Sequence, residues 1–328
     1  MGSIAVRSAP SPTRTRLLST LRQQGALIAL LAACAFGFAR YGAFLTPENI
    51  VNIVRQNSMV GLVALGMTFV ILTGGIDLSV GAILAVAGIV LCYMAPYGTA
   101  VAVATAIGAA ALIGLANGLL IAKARIQPFI TTLAMMIAAR GFALAVTGEN
   151  SIPLPAGAQN IAWIGRGEIG PVPVPVILIA VAFLGAWIVL GYTRFGRSVY
   201  AVGDSPDAAK LLGLDVDRVL IATYVVSAAF AGLAGVVLAS RLGAAQPVAG
   251  TGWELDAIAA VVVGGTVLTG GRGGAGLTLI GVLLLGVILN LLNLEGTVSP
   301  WWQWVIRGAF LLAVVVVQGR MQRKAAAA

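Results

Sequence analysis

The residues able to do chemistry in this chain are few, and each stands almost alone in apolar sequence. Asp77 is the only charged residue between Arg55 and Lys123. It lies in the run Met59–Met94, two residues after the pair Gly74-Gly75 and two before Ser79. A carboxylate in such a run is costly unless it is hydrogen-bonded or meets water. Two roles therefore stand side by side for Asp77 and Ser79: capping a new helix after the glycine break, or lining a transport path. Asn117 and Asn290 also stand in apolar segments, where an interhelical hydrogen bond competes with substrate contact. Arg140 lies inside MIAARGFAL. Its fixed fork of donors suits either substrate hydroxyls or a carboxylate partner. Arg307, in the last apolar segment, reads as structural or as snorkelling to the interface. Glu254 and Asp256 open a further apolar segment from its outer side, where the helix dipole favours acids. The path candidates are thus Asp77, Ser79, Asn117, Arg140, Asp256 and Asn290.

What is missing is equally informative. The chain has no histidine, the commonest base, proton relay and metal ligand. Cys34 and Cys92 both lie in apolar runs and imply neither a disulfide framework nor a metal site. No G-x-x-x-x-G-K-[ST] occurs, so the chain carries no P-loop, and any ATP and Mg must be bound by a partner.

These residues need elements to hold them. The 328 residues are 59% hydrophobic and 9% charged, against about 25% charged in soluble domains. Mean hydropathy is +1.01. The composition implies an all-α polytopic membrane protein, since the alternating ten-residue segments of a β-barrel do not occur. Apolar segments lie near 25–45, 58–74, 79–96, 99–122, 128–147, 172–192, 218–240, 255–270, 275–293 and 301–318. About ten transmembrane helices are expected, with central ones broken by glycine. The 255–270 segment is short and Gly-rich and also fits a re-entrant element. Leu-Thr-Gly-Gly occurs twice, at Leu72–Gly75 and Leu268–Gly271. Internal symmetry of this kind is common in transporters, and two independent hairpin turns would look the same.

Basic residues orient the chain. The net charge of +9 comes from short segments between apolar runs, a membrane pattern and not a nucleic-acid one. Odd-numbered segments running outward put Lys123, Arg125, Arg194, Arg197, Lys210, Arg218 and Arg272 inside, and Arg40, Arg55, Arg166 and Arg241 outside. Both termini are then cytoplasmic. Residues 1–24 read as a disordered basic tail, 25–318 as the membrane domain, and 319–328 as a second tail. No convincing cleavage site follows the first apolar segment, which argues against a secretory signal.

The inner segment 193–217 is the second informative stretch. Asp204 and Ser205 precede Pro206, and the helical run after it ends at Gly213, a full start and stop signature. Ala208, Ala209, Leu211 and Leu212 give this helix a small-residue face and an apolar face. An ordinary interfacial helix and a docking element for a cytoplasmic partner both fit.

Gly66–Gly81 (GMTFVILTGGIDLSVG) resembles the signature of ribose-type sugar permeases of ABC importers. Thr193–Gly203 (TRFGRSVYAVG), with AAKLLGL after it, resembles their coupling loop, and Trp253–Thr266 is a third match. The three lie in order, and the resemblance covers most of the chain from 50 to 318. Asp204 stands where relatives often have Gly. Ile126–Leu133, Glu149–Pro153 and Gly296–Trp302 look most like one of the two permeases of galactofuranose importers. The resemblance implies a second permease subunit, homo- or heterodimeric, and two cytoplasmic ATPase subunits holding ATP and Mg. It further implies a periplasmic sugar-binding protein and a place in the bacterial inner membrane. Gly203, Asp204, Ala208, Ala209, Leu212 and Gly213 would couple to the ATPase. Galactofuranose would be the sugar, with ribose or another pentose as runner-up. An ion-driven secondary transporter would need polar ion sites at mid-membrane, for which only Asp77, Arg140 and Asp256 qualify. A membrane enzyme has no paired carboxylates or nucleophile elbow to stand on.

Overall fold

A computed structural model of the chain describes residues 12–297 and isolated positions between 299 and 312. Arg307, the tail 319–328 and much of the 301–318 segment lie outside the described residues. Twelve α-helices are defined among residues 12–297: α1 Pro12–Arg40, α2 Pro47–Leu72, α3 Val80–Met94, α4 Thr99–Ala122, α5 Pro128–Thr147, α6 Gln159–Arg166, α7 Val174–Tyr192, α8 Arg194–Asp204, α9 Pro206–Leu211, α10 Val216–Leu242, α11 Trp253–Gly264 and α12 Ala275–Glu295. Proline opens α1, α2, α5 and α9 at the first helical position, where its fixed φ and missing N–H do no harm. Two short antiparallel ribbons complete the described residues, Ile152–Pro153 with Ala244–Ala245 and Glu168–Ile169 with Val172–Pro173.

Seven of the described helices, α2, α3 with its short 3₁₀ extension, α4, α5, α7, α10 and α12, are long and apolar enough to cross a membrane. Ten full crossings are not reached among the described residues. α11 has 12 residues, about 18 Å of rise, against about 30 Å of hydrocarbon. It behaves as a half-helix, as the re-entrant reading expects. α1 begins at Pro12, so half of the tail expected to be disordered is helical. The stretch between Thr13 and Gln24 contains no Gly or Pro to stop a helix.

α10 is the hub. It packs against α2, α3, α4 and α6. Small residues allow the close approach that membrane helices need. A Cβ on Gly114 of α4 would collide with Ala228, and one on Gly118 would meet Ile221 Cα at 2.7 Å. Met67, Ile71, Leu84, Val236 and Val261 fill the core at the centre of this packing.

The two ends of the bundle sort the charges. At one end Lys123 and Arg125 each pair with Asp217 at 3.0 Å, beside α8 and α9. At the other, Arg55 pairs with Glu168 at 2.5 Å, and Arg166 Nε donates to Arg241 O at 2.7 Å. The segment 193–217 holds two helices where one was expected. Phe195, Val199 and Val202 recur at a spacing of four and three, the stripe that marks α8 as amphipathic. Val199 and Val202 are buried against α2 and its neighbours.

Candidate functional site

The α2–α3 break is built by its glycines. Gly75 donates its N–H to Val70 O at 3.1 Å, and Gly74 at φ +79° turns the chain out of the helix. Ile76 to Ser79 then run without helix until Val80. Asp77 sits in this turn and is fully buried. Its Oδ1 accepts from Ser79 N–H at 3.0 Å and from Ser79 Oγ at 2.5 Å. Its Oδ2 accepts from Ser227 Oγ of α10 at 3.0 Å. Asn117 of α4 donates to Ser79 Oγ at 2.9 Å, and Thr132 of α5 donates to Ile76 O at 3.3 Å.

One turn thus draws polar groups from three other helices. Asn117 Oδ1 and Tyr224 Oη have no protein partner, although both residues are fully buried. Tyr224 Oη lies over Gly75, where an added Cβ would meet it at 2.5 Å. The capping expectation needs correction here. Ser79, not Asp77, is the α3 N-cap, and its side chain makes no capping bond. Asp77 stabilises the turn ahead of the helix, because its acceptor reaches only the second residue on.

Arg140 was expected to pair with a carboxylate or to meet substrate. Its Nη1 instead donates to two backbone oxygens, Pro247 at 2.5 Å and Ala249 at 2.8 Å. These belong to the segment between α10 and α11, which descends into the bundle. Non-helical backbone at membrane depth is tolerated where protein satisfies it, and Arg140 supplies the donors. Glu254 lies within electrostatic reach of Arg140 and accepts from Gly252 N–H at 3.2 Å. An added Cβ on Gly81 of α3 would collide with Gly250 O and the Glu254 carboxylate. The acids Glu254 and Asp256 lie in the first turn of α11, with Glu254 beside the first turn of α3. Asp256 is half-buried there.

Asn290 belongs elsewhere. It exchanges two hydrogen bonds with Asn49, at 3.1 and 2.7 Å, and so ties α12 to α2. The structure thus joins Asp77, Ser79 and Asn117, sets Arg140 and Asp256 around the descending segment, and leaves Asn290 apart. Sequence reasoning missed Ser227, Tyr224 and Thr132. A hydroxyl in an apolar helix commonly bonds its own backbone, so residue type alone does not mark it.

A cavity of about 480 Å³ lies between α2, α7 and α12 and has Asn57 as its one polar lining residue apart from Trp187. It contains no path candidate, and its apolar lining offers little to a polyhydroxylated ligand.

At the 193–217 end, Ser205 caps α9 by accepting from Ala208 N–H at 3.2 Å, and Gly213 follows it at φ +80°. The expected docking residues divide. Asp204, Ala208, Leu212 and Gly213 are exposed. Ala209 is 1% exposed, packed against its own chain, and Gly203 turns inward. The first group is open to a partner, whereas Ala209 and, in part, Gly203 are covered by their own chain.

A family model described as branched-chain amino acid transport system / permease component matches residues 49–315. The ribose import permease protein RbsC of Escherichia coli K12 is 43% identical over 308 residues, covering 92% of this chain and 95% of its own length. RbsC of Bacillus subtilis 168 is 47% identical over 277 residues, 84% of this chain and 86% of its own. The D-allose transport system permease protein AlsC of Escherichia coli K12 is 37% identical over 294 residues, 89% of each chain. No solved structure matches the chain. A helical membrane bundle, matched by the family model over most of its length, belongs to this family of transport-system permease components.

Proposed function

We propose that this chain is the membrane-spanning permease subunit of a bacterial ATP-driven monosaccharide importer. The observation that carries the reading is α9. This six-residue helix stands outside the spanning bundle, rooted by Ala209, with Leu211 90% and Leu212 80% exposed. Two large apolar side chains held in water at a fixed place suit a docking partner, and the chain has no nucleotide-binding loop of its own. The names of the relatives, ribose and D-allose permeases, support a sugar cargo.

In this reading two ATPase subunits hold ATP and Mg, and each grips the α9 of one permease in a homo- or heterodimeric pair. A periplasmic sugar-binding protein docks at the end carrying Arg55, Arg166 and Arg241. The Lys/Arg bias supports cytoplasmic termini and a cytoplasmic α8–α9, with the bundle in the inner membrane. Arg140, Asp256 and the peptide groups of 247–250 are the groups that meet the sugar. Asp77, Ser79 and Asn117 hold the turn that aims α3, and Asn290 braces α12. Galactofuranose remains the sugar suggested by Ile126–Leu133, Glu149–Pro153 and Gly296–Trp302. Ribose has the broader support, since the RbsC identities extend over 84–92% of the chain.

The test is reconstitution of the permease pair with its ATPase subunits and binding protein in proteoliposomes, offered labelled ribose, allose, fructose and galactofuranose. ATP-dependent uptake of one of them supports the reading. Uptake driven by an ion gradient without ATPase subunits overturns it.

A further inference from the structure

The two copies of Leu-Thr-Gly-Gly, one at the end of α2 and one between α11 and α12, meet at one place. Gly203, near the end of α8, lies between them. Gly271 donates its N–H to Leu72 O at 3.0 Å. A Cβ on Gly203 would overlap that same oxygen and lie 2.6 Å from Gly271 N. A Cβ on Gly270 would lie 2.9 Å from both Gly203 O and Gly74 N. Gly74, Gly270 and Gly271 have φ values of +79°, +89° and +72°, a region where glycine alone is unstrained. The two turns interlock through their glycines.

The contact is backbone on backbone. No side chain stands between the three segments, so no rotamer change can absorb a displacement of one against the others. One turn back on α8, Tyr200 Oη donates to Gly273 O at 3.0 Å, which clamps the same α11–α12 turn. Beyond Leu72 the chain runs directly into the turn held by Asp77. Beyond Gly203 it runs directly into α9.

We propose that this glycine contact is the relay of the transporter. Gly203, Gly270 and Gly271 are positioning residues that pass a movement of α9 both to the α2–α3 break and to the base of α11. The proposal rests on the importer reading above. It turns the sequence repeat into a pair of receivers for one transmitter, the end of α8.

The test uses the full assembly in proteoliposomes and reads sugar imported per ATP hydrolysed. Gly203→Ala is compared with wild type and with Gly276→Ala, whose added Cβ would meet nothing within 4 Å. Gly203→Ala is expected to lower the melting temperature, because the added methyl forces the segments apart, and in the protein that still folds and keeps its ATPase subunits sugar per ATP falls roughly tenfold or more. Gly276→Ala should match wild type. A ratio for Gly203→Ala within about twofold of wild type, well under that overpacking effect, overturns the relay. If Gly203→Ala does not assemble, Tyr200→Phe decides on the same readout. A fall of about threefold, the scale of one lost hydrogen bond, supports the relay, and an unchanged ratio overturns it. A wild-type assembly that imports no sugar with ATP defeats the importer reading itself, which is distinct from an uncoupled variant beside an active wild type.

Discussion

Ser227, near the middle of α10, donates its hydroxyl to Oδ2 of Asp77 at 3.0 Å across 150 residues of sequence. One buried carboxylate thereby fixes the α2–α3 turn to the helix around which the bundle packs. The direction of α3 depends on a side-chain bond to a distant helix, not on local capping.

Asp77→Leu removes the acceptor of three donors: Ser79 N–H, Ser79 Oγ and Ser227 Oγ. Each buried group left unpaired costs about 1–3 kcal/mol. The expected outcome is a lower melting temperature in detergent, reduced membrane abundance and no uptake. Asp77→Asn keeps one acceptor oxygen and should lose less. Wild-type uptake by Asp77→Leu would show that the turn needs no anchor.

Ala208 and Ala209 are neighbours with opposite fates. Ala208→Glu places a charge on the exposed side of α9, so the permease should fold normally and fail to couple: normal abundance, little uptake, and ATP hydrolysis no longer stimulated by the loaded binding protein. Ala209→Glu buries an unpaired charge under α9, an effect of about 3–5 kcal/mol, and should reduce the amount of folded protein. Normal uptake by Ala208→Glu would make α9 a passive surface helix.

Cysteine accessibility checks orientation. In a background lacking Cys34 and Cys92, Asp207→Cys at the end carrying α9 should be protected from an impermeant thiol reagent in intact cells. Ser151→Cys at the other end should be labelled. The reverse pattern would invert the molecule.

Much of this architecture is legible in the sequence. Apolar runs and Lys/Arg placement mark the helices and the two faces, because a bilayer imposes both on sequence directly. Gly74-Gly75 marks the break for the same local reason. What was not legible depends on long-range packing. Nothing near Arg140 in sequence says that its acceptors are the carbonyls of Pro247 and Ala249. Nothing near Ala209 says that its methyl faces inward and Ala208's outward. α8 was within reach, since Phe195, Val199 and Val202 carry the helical period, but its glycines and arginines read as loop.

The Asn49–Asn290 pair offers a cleaner energetic measurement. Asn49→Ala and Asn290→Ala should each destabilise the α2–α12 contact by about 0.5–1.5 kcal/mol. The double variant should cost little more than Asn49→Ala alone, because Asn49→Ala already removes both bonds of the pair together with the Asn49 Nδ2 donation to Phe44 O at 2.9 Å. Thermal unfolding of the three variants checks this, and simple additivity would mean the asparagines act separately.

Arg140 and its carbonyl acceptors carry an implication for biogenesis. The acceptors follow it by 107 and 109 residues, so α5 leaves the ribosome long before they exist. At about 5–20 residues per second, the guanidinium waits roughly 5–20 s for its partners. During that interval it must linger at the insertion machinery or draw water and headgroups toward itself. The acceptors that Arg140 has in the folded bundle are therefore complete only after the descending segment has been made. A nascent chain arrested before Pro247 is the species that membrane quality control should find and remove.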